Sequence, residues 1–252
     1  MRLPGRNKQS AENVKRVISL GWFLPNLMTV ASLSFGLTGL RFAFVGKWPE
    51  MLFMIVLAIL FDTLDGRIAR LLRSTSKFGA QLDSLSDAVV FGMVPAISLY
   101  LWGLQPGNKI AWAATLFFCI CSVLRLARFN SEIQEETDKS STFFTGIPMP
   151  AAGFLVLLPL VAHLEFKFDF LRDWKLIAAW MIIVGFGSIS IIPTFAGKKL
   201  IMPRRFAVPL LSSFAIIAAA ILIKPWLVWM ILSVLYILHI PVAQVAYNRR
   251  NK

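Results

Sequence analysis

The sequence predicts an all-α integral membrane protein, a polytopic bundle of about eight transmembrane helices preceded by a short N-terminal interfacial helix. Composition is the first reason, because 57% of the 252 residues are hydrophobic and only 15% are charged. Soluble domains carry about 25% charged residues, so this chain has more apolar side chains than one soluble core could bury. Recurring apolar stretches and an uneven distribution of basic residues are the second and third reasons.

Apolar stretches of about 20 residues, enough to cross a hydrocarbon layer of about 30 Å, recur along the chain. Only residues 223–225 separate the last two stretches, which predicts a tight hairpin between them. We expect a tail with the interfacial helix (1–21), a six-helix membrane core (22–193), and two additional helices with a basic tail (194–252). The predicted spans are 22–45, 51–72, 84–103, 110–129, 149–166, 175–193, 206–222 and 226–246.

The segment before the first span is polar and basic, unlike a cleaved signal peptide. Within residues 10–20, Val14, Val17 and Ile18 share one face of a helix. Lys15 and Arg16 lie toward the other face. This pattern predicts a short helix that lies on the membrane surface.

The chain is strongly basic, with 26 Lys and Arg against 13 Asp and Glu, a net charge of +13. Such a charge suits anionic lipid, an anionic substrate or nucleic acid, but the apolar composition argues against a nucleic-acid partner. Most of the basic residues fall in the two tails and in alternate connections between spans. That distribution predicts a multi-pass membrane protein with both termini in the cytoplasm. We expect it to lie in the cell inner membrane.

Four aspartates lie within or at the edge of the apolar spans. Asp62 and Asp65 are three residues apart, and Asp83 and Asp87 are four apart, so each pair lies on one helix face. A carboxylate at membrane depth costs about 2.5–3.5 kcal/mol on insertion scales, so four together need a compensating charge. The short connection between the pairs predicts antiparallel helices whose carboxylates converge on Mg²⁺ or Mn²⁺, with enough oxygen donors for two ions.

Small residues surround these acids. Gly66 and Ala69 follow the first pair and Gly79 precedes the second, which lets helices, or a bulky ligand, approach the backbone closely. Arg70 is placed to contact a phosphate or an acid, or to extend toward lipid headgroups. Intramembrane carboxylates also bind cations in transporters, so cation transport is an alternative interpretation. It explains the acids but not the small residues and the arginine.

The spacing of acids and small residues resembles the signature of the CDP-alcohol phosphatidyltransferase family. The matching stretch is Asp62-x-x-Asp65-Gly66-x-x-Ala69-Arg70, followed by Gly79, Asp83 and Asp87. Residues 25–29 (PNLMT) are similar to the Pro-Asn-x-x-Thr element of the same family.

This resemblance implies a set of roles for the matching residues. The four aspartates, Asp62, Asp65, Asp83 and Asp87, are expected to hold two divalent ions, and Asp87 to act also as the general base. The expected contacts of the CDP-lipid are Asn26, Thr29, Gly66, Arg70 and Ser76.

Two further segments resemble the phosphatidylserine synthase branch of this family, residues 124–130 (LRLARFN) and 144–153 (FTGIPMPAAG). The resemblance implies transfer of a phosphatidyl group from CDP-diacylglycerol to L-serine, with release of CMP, by a homodimer. The serine carboxylate needs a cation, which Arg125 or Arg128 could supply, and its ammonium needs an acceptor such as Asn130. The alternatives are other acceptors for the same chemistry: glycerol 3-phosphate, inositol phosphate or choline.

Overall fold

The computed structural model describes residues 20–72, 74–104, 108–135, 143–190, 193–195 and 219–250, with the isolated positions 212 and 216. Helices dominate these ranges. A π-helical turn, Ala88–Met93, and a 3₁₀ turn, Asp169–Arg172, connect some of them. The α-helices are α1 (Leu20–Phe44), α2 (Trp48–Leu71), α3 (Lys77–Asp87), α4 (Val94–Gly103), α5 (Lys109–Glu135), α6 (Met149–Val156), α7 (Leu158–Phe166), α8 (Trp174–Ile189) and α9 (Pro225–Arg250).

A tight turn joins α1 to α2, and the two helices pack along one another. Lys47 N–H donates to Phe42 O at 3.0 Å and Gly46 N–H donates to Ala43 O at 3.1 Å, the pair of bonds that defines a Schellman motif. Gly46 has a φ of +71°, which glycine adopts without the penalty of a Cβ. Pro49 lies in the first turn of α2, where a missing N–H breaks no helical bond.

One continuous helical segment, Lys77–Gly103, contains the π-helical turn directly after Asp87. Within it Val94 N–H bonds to Val89 O, five residues earlier, and Pro95 has no N–H to donate to Phe91 O. Gly153 of α6 packs here so closely that a Cβ would lie 2.8 Å from Phe91 O. The turn therefore brings α6 against the backbone that follows Asp87.

A bend of 40° separates α6 from α7, and two tryptophans from other helices donate hydrogen bonds to its carbonyls. Pro159 cannot donate to Leu155 O, four residues earlier, and Trp180 Nε1 of α8 donates to that oxygen at 2.9 Å. Trp229 Nε1 of α9 donates to Phe154 O at 3.1 Å, and the two rings stack 4.2 Å apart. Side chains of α8 and α9 thus stabilise the bend between α6 and α7.

The hydrophobic core fills the space between these helices. Phe118 of α5, Met181 of α8 and Leu160 of α7 are among its fully buried side chains. α5 packs along α8, and α9 packs against α7. The final helix is therefore part of the bundle's packing.

A short antiparallel ribbon interrupts the helical pattern. Strand β1, Phe143–Thr145, pairs with β2, Pro193–Phe195, with Phe144 opposite Thr194. The sequence did not predict this ribbon, and the helix of the sixth predicted span, 175–193, ends four residues earlier in the structure. α8 ends at Ile189, because Ser190 has an extended ψ of 156° and Pro193 is in a strand.

Among the described residues, three helical segments are long and apolar enough to cross a membrane: Phe23–Phe44, Lys77–Gly103 and Lys109–Ser131. The bent pair α6–α7 makes a fourth when it is counted as one span. The prediction of a helical membrane protein is thus confirmed, while the count of eight spans stays a prediction.

The other predicted spans differ from these segments for identifiable reasons. α2 has 24 residues, a length of about 36 Å, but it carries the acids and arginines of the signature. α8 and the apolar part of α9, Pro225–Pro241, are shorter apolar helices. The predicted interfacial helix lies almost entirely outside the described residues, as does much of the seventh span.

Candidate active site

Three carboxylates converge between α2 and the segment in which α3 runs into the π-helical turn. One carboxylate oxygen each of Asp62, Asp83 and Asp87 lies within 4.8 Å of the other two. The spacing of three residues between Asp62 and Asp65, and of four between Asp83 and Asp87, sets the direction of these side chains on each helix. The predicted convergence of acids from two helices is therefore present for three of the four aspartates.

Asp65 lies beside this group but has a different environment. It is buried, and the Thr29 hydroxyl of α1 donates to its Oδ2 at 2.6 Å. The same hydroxyl also lies 3.2 Å from Pro25 O within α1. Thr29 thus ties the fourth aspartate to the first helix.

The acidic group has the chemistry of a divalent cation site. Three ionised carboxylates so close together repel one another, and a proton or a cation between them relieves that repulsion. Asp87 Oδ1 is buried and has no hydrogen-bond partner among the described residues, so an acceptor atom there still needs a donor or an ion. Carboxylate oxygens suit Mg²⁺ and Mn²⁺, which Asp62, Asp83 and Asp87 would hold, with Asp65 adjacent.

A cavity of about 410 Å³ opens beside the acids, between α1, α2 and the start of α3. It brings together all five residues that the sequence predicts as CDP-lipid contacts, and Asp65 and Asp83 also line it. Those five residues are Asn26, Thr29, Gly66, Arg70 and Ser76.

Two glycines shape this cavity in different ways. A Cβ on Gly66 would meet no atom within 4 Å, so the missing side chain leaves open space toward the cavity. A Cβ on Gly79 would lie 3.0 Å from Asn26 Oδ1, so Gly79 allows α1 to approach α3. Ser76 is the N-cap of α3, and its Oγ accepts from Gly79 N–H at 3.0 Å.

A second cavity, of about 180 Å³, lies on the other side of the acids. Arg125 of α5, only 8% exposed, lines it together with Asp83 and Asp87. The remaining lining residues are Ser84, Leu126, Phe129, Pro148, Met149 and Pro150. Asp83 lines both cavities, so this carboxylate lies where they meet.

The structure separates the two arginines predicted to contact the acceptor. Arg128 is directed toward the end of α8, where Nη1 donates to Ile189 O at 2.8 Å and Nη2 to Ser190 O at 3.4 Å. It does not line the second cavity, whereas Arg125 does.

Ser84 and Phe129 were missed by the sequence analysis, although both line the second cavity. Ser84 Oγ donates to Asn130 Oδ1 at 3.1 Å, which joins α3 to α5 beside the acids. Their positions in the sequence could have identified them, because Ser84 lies between the two aspartates of α3 and Phe129 lies between Arg128 and Asn130.

Comparison with known proteins agrees with this arrangement. The family model for CDP-alcohol phosphatidyltransferase matches residues 22–185, a range that contains both cavities and all four aspartates. The chain belongs to the CDP-alcohol phosphatidyltransferase family. The family resemblance carried by the acid signature is thereby confirmed over most of the chain.

Similar members of the CDP-alcohol phosphatidyltransferase family bear the name CDP-diacylglycerol–serine O-phosphatidyltransferase. The protein from Mycobacterium leprae is 36% identical over 238 residues, 94% of this chain and 78% of that protein. The protein from Mycobacterium tuberculosis is 34% identical over 222 residues, 87% of this chain and 77% of its own. The one from Helicobacter pylori is 34% identical over 182 residues, covering 71% and 75%.

Proposed function

We propose that this protein transfers the phosphatidyl group of CDP-diacylglycerol to the hydroxyl of L-serine, giving phosphatidylserine and CMP. One observation carries the proposal: two cavities meet at Asp83. Most of the family signature lines the larger cavity, and Asp87 and a buried arginine line the smaller one. The names of the similar proteins support the same substrates.

The larger cavity suits the CDP part of the lipid. Arg70 supplies a positive charge for phosphate, and Asn26, Thr29 and Ser76 supply polar groups around it. The open space at Gly66 leaves room for a flat or bulky group against the α2 backbone. An anionic pyrophosphate can lie beside four carboxylates only if cations neutralise the charge. The aspartates suit a divalent ion, and this supports CDP-diacylglycerol as the ligand.

The smaller cavity suits a small amino acid. Arg125 is buried at its wall and offers a planar set of donors for a carboxylate. Asn130 does not itself line the cavity. It accepts a hydrogen bond from Ser84, which does, and an amide oxygen is an acceptor suited to an ammonium group. Choline has no anion for Arg125, so this residue favours serine over choline.

The proposed reaction is one displacement at phosphorus. The serine oxygen forms a bond to the phosphorus that bears diacylglycerol, and the bond from that phosphorus to the CMP oxygen breaks. Asp87, which lines the serine cavity, accepts the hydroxyl proton as the oxygen attacks. A divalent cation on the aspartates, when bound, neutralises charge on the pyrophosphate. CMP then leaves as a solvated anion.

The finer organisation belongs to the same proposal. The chain crosses the inner membrane eight times, with the acids near the cytoplasmic face, and functions as a homodimer with two Mg²⁺ or Mn²⁺ ions per site. Residues 22–193 form the catalytic core, residues 1–21 form the cytoplasmic tail, and residues 194–252 add two helices and a basic tail. The excess of basic residues in one set of connections supports this orientation.

The test is an acceptor panel with the purified protein in detergent. CDP-diacylglycerol is supplied with Mn²⁺ or Mg²⁺ and with serine, glycerol 3-phosphate, inositol phosphate or choline, and both CMP release and lipid labelling are followed. We expect labelling from serine alone, and no activity after chelation with EDTA until the ion is restored.

Two amide variants serve as a matched pair in this assay. Asp87→Asn removes the proposed base and should abolish serine transfer. Glu50→Gln makes the same change on the exposed first turn of α2, about 18 Å along the helix from Asp62, and should retain activity. Incorporation of another acceptor would contradict the assignment of serine. Absence of CMP release with every acceptor and ion would contradict the transferase itself and favour cation transport.

A further inference from the structure

The smaller cavity, assigned above to the acceptor, has walls of different chemistry. Arg125 of α5 contributes a cationic side chain, and Asp83, Ser84 and Asp87 of α3 contribute oxygen atoms. The start of α6 and the residue before it contribute apolar groups. An acceptor in this cavity therefore meets a cation from one helix and a row of oxygen atoms from another.

The Ser84 hydroxyl uses its single proton within the protein. Its Oγ donates to Ala80 O at 3.0 Å, one turn earlier in α3, and to Asn130 Oδ1 of α5 at 3.1 Å. Both partners are acceptors, and a serine hydroxyl has only one proton but two lone pairs. The proton is therefore used whichever partner receives it, and the hydroxyl offers a ligand in the cavity only its acceptor capacity.

Every oxygen that α3 presents to the cavity is thus an acceptor. Ionised Asp83 and Asp87 have no proton to donate, and the proton of Ser84 is already used. An ammonium group is the matching ligand, because it has three N–H donors and no acceptor. Asn130 does not line the cavity, so it acts on such a ligand through the hydroxyl that it orients.

We propose that Ser84 is a specificity-determining residue, whose Oγ accepts a hydrogen bond from the ammonium group of an amino-acid acceptor while Arg125 binds the carboxylate. This inference rests on the proposed function and deepens it. Arg125 alone would also suit the phosphate of glycerol 3-phosphate or of inositol phosphate. Neither of those acceptors has an ammonium group for Ser84, and choline has no carboxylate for Arg125.

Ser84→Ala is the direct test, because alanine suits a helix and the change removes only the oxygen. We expect the KM for serine to rise about tenfold or more, the effect of losing a hydrogen bond to a charged group. The KM for CDP-diacylglycerol should stay within about twofold of the wild type. Ser84→Thr keeps the hydroxyl and should recover most of the affinity for serine.

Ser34→Ala is the matched control. The Ser34 hydroxyl also donates one turn back along its helix, to Val30 O at 2.8 Å, but Ser34 lies on α1 and lines neither substrate cavity. Its removal should leave the KM for serine unchanged.

The analogue 3-hydroxypropionate separates recognition of the ammonium from a general disturbance of the cavity. It keeps the hydroxyl and the carboxylate of serine and lacks the ammonium. Its inhibition constant, measured in competition with labelled serine, should therefore be the same in the wild type and in Ser84→Ala. A rise in that constant equal to the rise in the KM for serine would overturn the inference, as would an unchanged KM for serine in Ser84→Ala.

Asn130→Ala tests which of the two residues contacts the ammonium. Ala80 O can still receive the Ser84 proton, so we expect a smaller rise in the KM for serine than in Ser84→Ala. A larger rise would place the ammonium on Asn130 and overturn the inference while leaving serine transfer intact. A wild-type protein that does not label lipid with serine would overturn the proposed function and this inference with it.

Discussion

The hydroxyl of Thr29 donates to Oδ2 of Asp65 at 2.6 Å and so joins α1 to the acid-bearing helix α2. Both residues are buried, and both line the cavity assigned to the CDP-lipid. The bond fixes the one aspartate that lies outside the close group of three carboxylates. It also explains why an element at the start of α1 and a signature in α2 belong to one site.

Thr29→Val should weaken binding of CDP-diacylglycerol and of the divalent ion. A hydrogen bond to a charged group is worth about 1.5–3 kcal/mol, so we expect at least about a tenfold rise in the half-saturating concentrations. Titrations of activity against Mn²⁺ and the lipid would measure it. Thr29→Ser should retain the bond, and Thr38→Val, which removes a hydroxyl that donates to Ser34 O within α1, should change neither titration.

Gly66→Ala should separate folding from ligand binding. Alanine is favoured over glycine in a helix by about 0.8–1 kcal/mol, and the new methyl group meets no protein atom within 4 Å. The Tm should therefore rise by about 2–4 °C, while the KM for CDP-diacylglycerol increases because the methyl group occupies its cavity. A raised Tm with an unchanged KM would mean that the lipid does not approach Gly66.

Gly79→Ala should behave differently from Gly66→Ala. Its Cβ would lie 3.0 Å from Asn26 Oδ1 and 3.2 Å from Ser76 Oγ, so α1 or the cap of α3 must shift. We expect both a lower Tm and weaker CDP-lipid binding, measured by thermal unfolding in detergent and by lipid titration. Full retention of both quantities would show that these contacts relax without cost.

The two arginines of α5 should give opposite results. Arg125→Gln should raise the KM for serine by about tenfold or more, because a buried partner of the carboxylate is lost, with little change in the Tm. Arg128→Gln should lower the Tm, because its bonds to Ile189 O and Ser190 O are lost, with little change in the KM for serine. A large effect of Arg128→Gln on the KM for serine would show that Arg128 does contribute to binding of the acceptor.

Trp229→Phe should destabilise the bundle without changing substrate affinity directly. Phenylalanine can keep the stack on Phe154 but cannot donate to Phe154 O. The loss of a buried bond costs about 1–3 kcal/mol, and thermal unfolding should show a Tm lower by several degrees. Trp112→Phe, at a half-exposed position on α5, is the control and should leave the Tm nearly unchanged.

The parts of the site that the sequence predicted depend on local geometry. Helical spacing alone puts Asp62 with Asp65 and Asp83 with Asp87, and a short connection brings the pairs together. The five predicted CDP-lipid contacts came from the family resemblance, and they converge because they lie on helices that pack side by side. Local pattern and family signature were sufficient to predict that these residues converge, while their roles stay proposals.

The parts that the sequence did not predict depend on contacts between distant segments. Arg125 and Arg128 are three residues apart on one helix, so the local sequence does not distinguish them. Arg128 differs because it donates to the carbonyls of Ile189 and Ser190, which lie 61 and 62 residues further along the chain. The ribbon between β1 and β2 pairs two segments separated by three helices.

The bend between α6 and α7 affects the order in which the chain can complete its fold. Leu155 precedes its indole donor Trp180 by 25 residues, and Phe154 precedes Trp229 by 75. Hydrocarbon offers no hydrogen-bond donor of its own, so neither indole bond can form until the later helix has been made and has packed. The bond from Trp229 to Phe154 O therefore forms only after α9 has been synthesised, 75 residues after the carbonyl that accepts it.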